Sequence, residues 1–182
     1  MHQDVFNGDA DGLCALHQLR LAEPREARLV TGVKRDIHLL ERVQAQAGDR
    51  VTVLDISLHE NRSALLRLLE AGARVQYFDH HFAGQVPAHP GLEAHLDPSP
   101  DVCTSLLVDQ YLRGAHRAWA VVAAFGDGLP HVARRAALDL ELDEEQLRAL
   151  EELGTLLNYN AYGETVADLH VPPAELYAAL KP

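Results

Sequence analysis

Asp9 and Asp11 stand one residue apart in "FNGDADGLCALHQL", with a glycine on either side, between a short apolar run and a helix-like run. Asp55 closes the apolar segment "RVTVLD", and Asp79 closes "ARVQYFD", where His80 and His81 follow at once. Carboxylate oxygens and imidazole nitrogens in one place suit Mn²⁺, Mg²⁺, Zn²⁺ or Fe²⁺. Each residue also has a plainer reading. An Asp after a strand is a natural N-cap for the next helix, Gly and Asp together make turns, and two adjacent histidines fit a solvated loop. The plain readings do not explain why three separate strand-like segments end in acids and the last adds two imidazoles. Gathered at one edge, such acids repel one another unless cations neutralise them.

The elements that must position these residues are legible in outline. Segments 4–7, 27–32, 50–55 and 73–79 are short, β-branched or aromatic, and bounded by turn residues, and 92–97 offers a fifth strand. Between them, apolar residues recur at three- and four-residue spacing: Leu13, Leu16 and Leu19, then Ile37, Leu40 and Val43, then Leu65, Leu68 and Leu69. This alternation predicts an α/β fold, a doubly wound parallel sheet of five strands flanked by helices. In such a sheet the strand ends of one sense line a single crevice where ligands bind. After Asp97 the chain reads as helices, "CTSLLVDQYL", "RAWAVVAAF" and "EEQLRALEELGTLLNY", the last opened by a capping box of Asp143 and Gln146. A short helix in "HVPPAELYAAL" has a proline in its first turn. The expected organisation is a core over residues 1–130 with a helical extension of the same domain over 131–182.

The bulk properties narrow the partners. A chain of 182 residues with 47% hydrophobic side chains can bury a sizeable core. Its formal charge of −11 disfavours long duplex nucleic acid, whose binding depends on neutralising phosphates. A phosphorylated small molecule or a short oligonucleotide, held at a local site, remains compatible. No apolar run is long enough for a bilayer span, and the N-terminal residues lack signal-peptide character, so a cytoplasmic location without membrane contact is expected. Cys14 and Cys103, set among small apolar residues, are expected to be buried and unreactive.

"GDADG", "VTVLDIS" and "VQYFDHH" resemble, in this order, the first three motifs of the DHH phosphoesterase superfamily, named for the triplet that stands here as Asp79-His80-His81. The superfamily includes RecJ-type exonucleases, nucleases of very short oligonucleotides, cyclic-dinucleotide phosphodiesterases and one class of inorganic pyrophosphatase. Its fourth motif, an Asp after an apolar helix, is matched by Asp127 in "VVAAFGDGL". From the residues alone Gly126-Asp127-Gly128 reads equally well as a turn, and Asp97 and Asp101 in "DPSPD" compete for the role. His17, His59 and His131 read as surface or capping groups, and Arg134 and Arg135 as a solvated helix face.

The resemblance implies a metal-dependent phosphodiesterase that uses two ions, Mn²⁺ or Mg²⁺, to activate water. Asp9 would hold the first ion, Asp11, His80 and Asp127 the second, and Asp55 would bridge them. His81 would bind phosphate or assist the leaving group, and Asp79 would orient a histidine. Gly12, at the start of a helix, would approach phosphate. Two features depart from the family pattern. Many members carry a His four residues before the first motif Asp, where this chain has Val5, with Asn7 as a partial substitute. The usual second, substrate-binding domain is also absent, so a longer native chain or a second chain would complete the cleft. The alternatives are a non-catalytic degenerate DHH domain that binds a nucleotide or protein, or a pyrophosphatase or phosphomonoesterase.

Overall fold

The computed structural model describes residues 1–180; the last two positions of the 131–182 extension lie outside them. In chain order the elements are β1 (His2–Phe6), α1 (Ala10–Ala22), β2 (Arg28–Thr31), β3 (Arg50–Leu54), α2 (Arg62–Glu70), β4 (Arg74–Asp79) and β5 (Leu92–Leu96). There follow α3 (Thr104–Tyr111), α4 (Arg117–Gly126), α5 (Pro130–Ala137), α6 (Glu144–Asn160) and α7 (Pro173–Leu180). All strand pairs are parallel, in the spatial order β2-β1-β3-β4-β5. The chain leaves β1 for one edge and returns to its other side as β3. The order therefore reverses between β1 and β3, the position at which open parallel sheets form a ligand crevice.

Side chains alternate across the strands and divide the interior into two cores. Phe6, Leu54 and Phe78, which are aligned across β1, β3 and β4, face α1 and α3 to α7. Val5, Val53 and Tyr77, one residue earlier in each strand, face α2 and the segment around Leu39–Val43. Helix α1 is central: every residue from Ala10 to Arg20 is buried, because the sheet covers one side and α3, α4, α6 and α7 cover the others. A helix enclosed in this way has no solvated stripe. This placement also corrects the reading of His17 as a surface group. It is buried, with its ring edge-on to Trp119 at a centroid distance of 4.4 Å. Both cysteines are buried as expected. Among the described residues no helix is long and apolar enough to cross a membrane.

The second expected helix does not form. Ile37, Leu40 and Val43 share a helical spacing, yet the segment contains only a single 3₁₀ turn, Leu39–Arg42. Side chains from elsewhere take up the backbone groups that a helix would have paired. The Asn61 amide donates to Ile37 O at 2.7 Å and to Ser57 O at 3.0 Å, while its oxygen accepts from Leu40 N. Arg67 donates to the carbonyls of Glu41 and Val43, and Gln3 to that of Gln44. Leu39, Leu40 and Val43 still reach the core, so burial is achieved without a helix. Asn61→Ala would leave buried donors and acceptors unpaired and is expected to cost roughly 1–3 kcal/mol, read as a lowered urea midpoint at unchanged m-value.

Candidate metal centre

The C-terminal ends of β1, β3 and β4 meet at a cavity of ≈ 160 Å³ lined by Asn7, Asp9, Lys34, Asp55, His80, His81 and Asp127 among others. Each acid is brought there by a different local device. Asp9 caps α1: its Oδ1 accepts from the backbone N–H groups of Asp11 and Gly12, each at 3.1 Å. Its Oδ2 lies 2.6 Å from Lys34 Nζ. Asp11, in the first turn of α1, accepts instead from a different helix. Its oxygens accept from Thr104 N and Ser105 N at the start of α3, both at 2.7 Å. The plain reading of an Asp that caps the next helix therefore applies to Asp9 and not to Asp11, which also has an oxygen 3.9 Å from His80 Nε2.

Asp55 follows β3 with φ +59°, a left-handed conformation that is uncommon outside glycine and costs on the order of 1 kcal/mol. The turn is held by its N–H donating to Phe78 O and by Thr104 Oγ1 donating to its carboxylate at 3.1 Å. His80 Nε2 stands 3.4 Å from Asp55, 3.8 Å from Asp127 and 3.9 Å from Asp11. Among the described residues, two groups of three side chains have donor atoms close enough to share one ion: Asp11, His80 and Asp127, and Asp55, His80 and His81. Asp79 is fully buried. One of its oxygens accepts from Leu58 N, and the other lies 2.6 Å from His81 Nδ1, which fixes the tautomer and tilt of that ring. Asp97 and Asp101 lie outside the cavity on an exposed loop, with Asp97 bonded to Ser99 and Asp101 to His131. His59 packs against Phe82, and Arg134 pairs with Glu151 on an exposed face.

The electrostatics follow from this crowding. Burial, then the neighbouring carboxylates Asp11, Asp9, Asp79 and Asp127, push the Asp55 carboxyl well above its ordinary range. Burial and the charges of Asp11 and Asp9 raise Asp127 to about 6, against the opposing pull of His80 and Lys34. The hydrogen bond to Asp79 raises His81 despite its partial burial. Oxygen and imidazole donors converging on one point, in a place that resists holding so many negative charges, fit a hard or borderline divalent cation. Asp11, His80 and Asp127 fit such an ion, as do Asp55, His80 and His81, and the two groups share His80.

The same test fails for an ion on Asp9. Val5 is buried in the second core and carries no donor, and Lys34 occupies the free side of the carboxylate. Asn7 does not replace the missing imidazole: it accepts from Asp9 N and donates to the Lys34 carbonyl. Gly12 does not present its N–H to phosphate either, because that group is committed to Asp9. The reason for a glycine there lies elsewhere, since a Cβ at this position would fall 2.1 Å from Asn7 O. Lys34, Thr104 and Asn158 were not singled out from sequence. Only Lys34 offered a signal, as one of two lysines in the chain, just beyond β2.

No protein-family model matches the chain, and no curated protein matches it in sequence. Solved structures do. The exonuclease RecJ bound to manganese is 18% identical over 85% of this chain and 43% of its own, with a TM-score of 0.44. An uncharacterised protein from Helicobacter pylori G27 is 12% identical over 98% of this chain and 60% of its own, with a TM-score of 0.48. RecJ in complex with Mn²⁺ from Thermus thermophilus is 17% identical over 87% of this chain and 35% of its own, with a TM-score of 0.39. The chain thus spans between about a third and three fifths of these structures' length.

Asp127 depends on helix packing rather than on a strand. It follows α4, which crosses α6 so closely that a Cβ on Gly154 would fall 2.1 Å from Val122 O, and one on Gly126 2.6 Å from Gly154 O. Gly154→Ala would force the helices apart and is expected to cost about 1–3 kcal/mol, measured by urea unfolding, with weaker binding of a divalent ion in the same variant because Asp127 moves with α4.

Proposed function

We propose that this chain is a divalent-metal-dependent phosphoesterase of the DHH type, which hydrolyses phosphodiester bonds in short oligonucleotides or small nucleotides. The observation that carries the reading is the placement of His80 Nε2 within 3.9 Å of three carboxylates, Asp11, Asp55 and Asp127, drawn from three different elements. Asp11, Asp55, His80 and Asp127 would hold the ion, Mn²⁺ or Mg²⁺. When bound, it would polarise the phosphoryl group and lower the pKa of attacking water.

The chain's own groups supply the rest. Asp79 holds His81 through Nδ1, and the half-exposed ring offers its other nitrogen as a hydrogen-bond donor to a phosphoryl oxygen or a departing oxygen. Thr104 Oγ1 fixes one Asp55 oxygen, so the carboxylate keeps its orientation as substrate arrives. The acidic balance of the chain supports a short substrate over a long duplex. A non-catalytic nucleotide-binding role is favoured by one observation, the ion pair that engages Asp9.

Both readings are separated by titrating the protein with Mn²⁺ and assaying a short RNA, a cyclic dinucleotide, pyrophosphate and a chromogenic phosphodiester. Hydrolysis of a phosphodiester is expected. Asp55→Ala is expected to lower kcat/KM by about 100-fold or more, since loss of the ion forfeits several kcal/mol of transition-state stabilisation. Metal uptake with none of the four substrates hydrolysed would favour the binding role, and no uptake at millimolar Mn²⁺ would end the metal reading.

A further inference from the structure

We propose that the Lys34 ammonium takes the place of one of two cations, so that this chain holds a single divalent ion beside a built-in positive charge. The inference rests on the metal-dependent reading of the site and specifies how many ions that site accepts. Both oxygens of Asp9 are engaged, Oδ1 by the first N–H groups of α1 and Oδ2 by Lys34 Nζ at 2.6 Å. A divalent ion on Asp9 would have to share Oδ2 with the ammonium and stand beside its positive charge. Nζ also donates to Asn158 Oδ1 at 2.9 Å and lies 3.7 Å from Asp127, so its three donors have three oxygen partners around them.

The backbone of Lys34 is pinned as well. Its N–H donates to Ala161 O beyond α6, and its carbonyl accepts from the Asn7 side chain. The ammonium is thus delivered to the pocket by main-chain contacts on both sides rather than by a loose surface side chain. The ammonium stands 2.6 Å from Asp9 and 3.7 Å from Asp127, between two carboxylates that would otherwise face each other. Residue type is consistent with the role. The chain contains two lysines among 16 basic residues, and an ammonium is a compact point charge where a guanidinium is a broad planar fork. A compact cation fits where an ion would sit. Asp9 is accordingly missing from both groups of side chains able to share an ion among the described residues.

The test is the manganese stoichiometry of the full chain by equilibrium dialysis, together with its electron paramagnetic resonance spectrum. Wild type is expected to bind one Mn²⁺ per chain and to give the spectrum of an isolated ion. Lys34→Met keeps the length of the stem and removes the charge. It is expected to bind a second Mn²⁺ and to show the exchange coupling of two neighbouring ions. Two coupled ions in wild type would overturn the proposal and leave the metal-dependent phosphoesterase reading intact, whereas no bound ion would overturn both. A folded Lys34→Met, checked by circular dichroism, that still takes up one ion would also overturn it. Should that variant fail to fold, the wild-type stoichiometry decides alone.

Discussion

Negative charge packed at one edge of the sheet is the constraint on which the site depends. Asp9, Asp11, Asp55 and Asp79 are all nearly inaccessible to water, and Asp127 stands beside them. Unpaired carboxylates in such a place would be costly, and the fold meets the cost group by group. Helix N-termini compensate Asp9 and Asp11, the Thr104 hydroxyl donates to Asp55, and His81 with Leu58 N compensates Asp79. Lys34 bridges Asp9 towards Asp127. What stays uncompensated is concentrated around His80 Nε2, and there a divalent ion has both the donors and the electrostatic reason to bind.

The scaffold explains why these groups converge. A parallel sheet delivers the ends of β1, β3 and β4 side by side, and the reversal of strand order between β1 and β3 opens the crevice between them. The strands alone would not complete the pocket. Thr104 and Ser105 reach it because α3 starts against Asp11, and Asp127 because α4 and α6 touch backbone to backbone through Gly126 and Gly154. The helical part of the chain therefore builds the site as well as covering the sheet, and its buried residues belong to the same core as α1.

Asp9 and Asp11 show how one motif can carry two functions. Asp9 is the N-cap of its own helix, the common structural reason for an Asp at a helix start, whereas Asp11 accepts from the first N–H groups of α3, far along the chain. The difference lies in what remains after capping. Asp9 spends its second oxygen on a lysine, whereas Asp11 keeps an edge towards His80. Capping orients Asp11 without removing it from the pocket, because a carboxylate oxygen has a second lone pair after it accepts one N–H.

The sheet, its parallel sense, most helices and the edge at which acids collect were legible in the sequence. Each is written locally, in period-two and period-3.6 patterns broken by turn residues. The Asp143–Gln146 capping box was legible for the same reason and forms as read. The structure alone decided the rest. It replaced a helix at residues 37–43 with an irregular path around one 3₁₀ turn, because Asn61 and Arg67 satisfy that backbone from other parts of the chain. It buried His17 against Trp119, since only packing reveals that α1 has no outer face. It joined Asp11 to Thr104 across 93 positions and Lys34 to Asn158 across 124. Contacts between residues so far apart leave no periodic trace in the chain: sequence determined which groups reach the sheet edge, and tertiary packing determined which of them remain free to bind an ion.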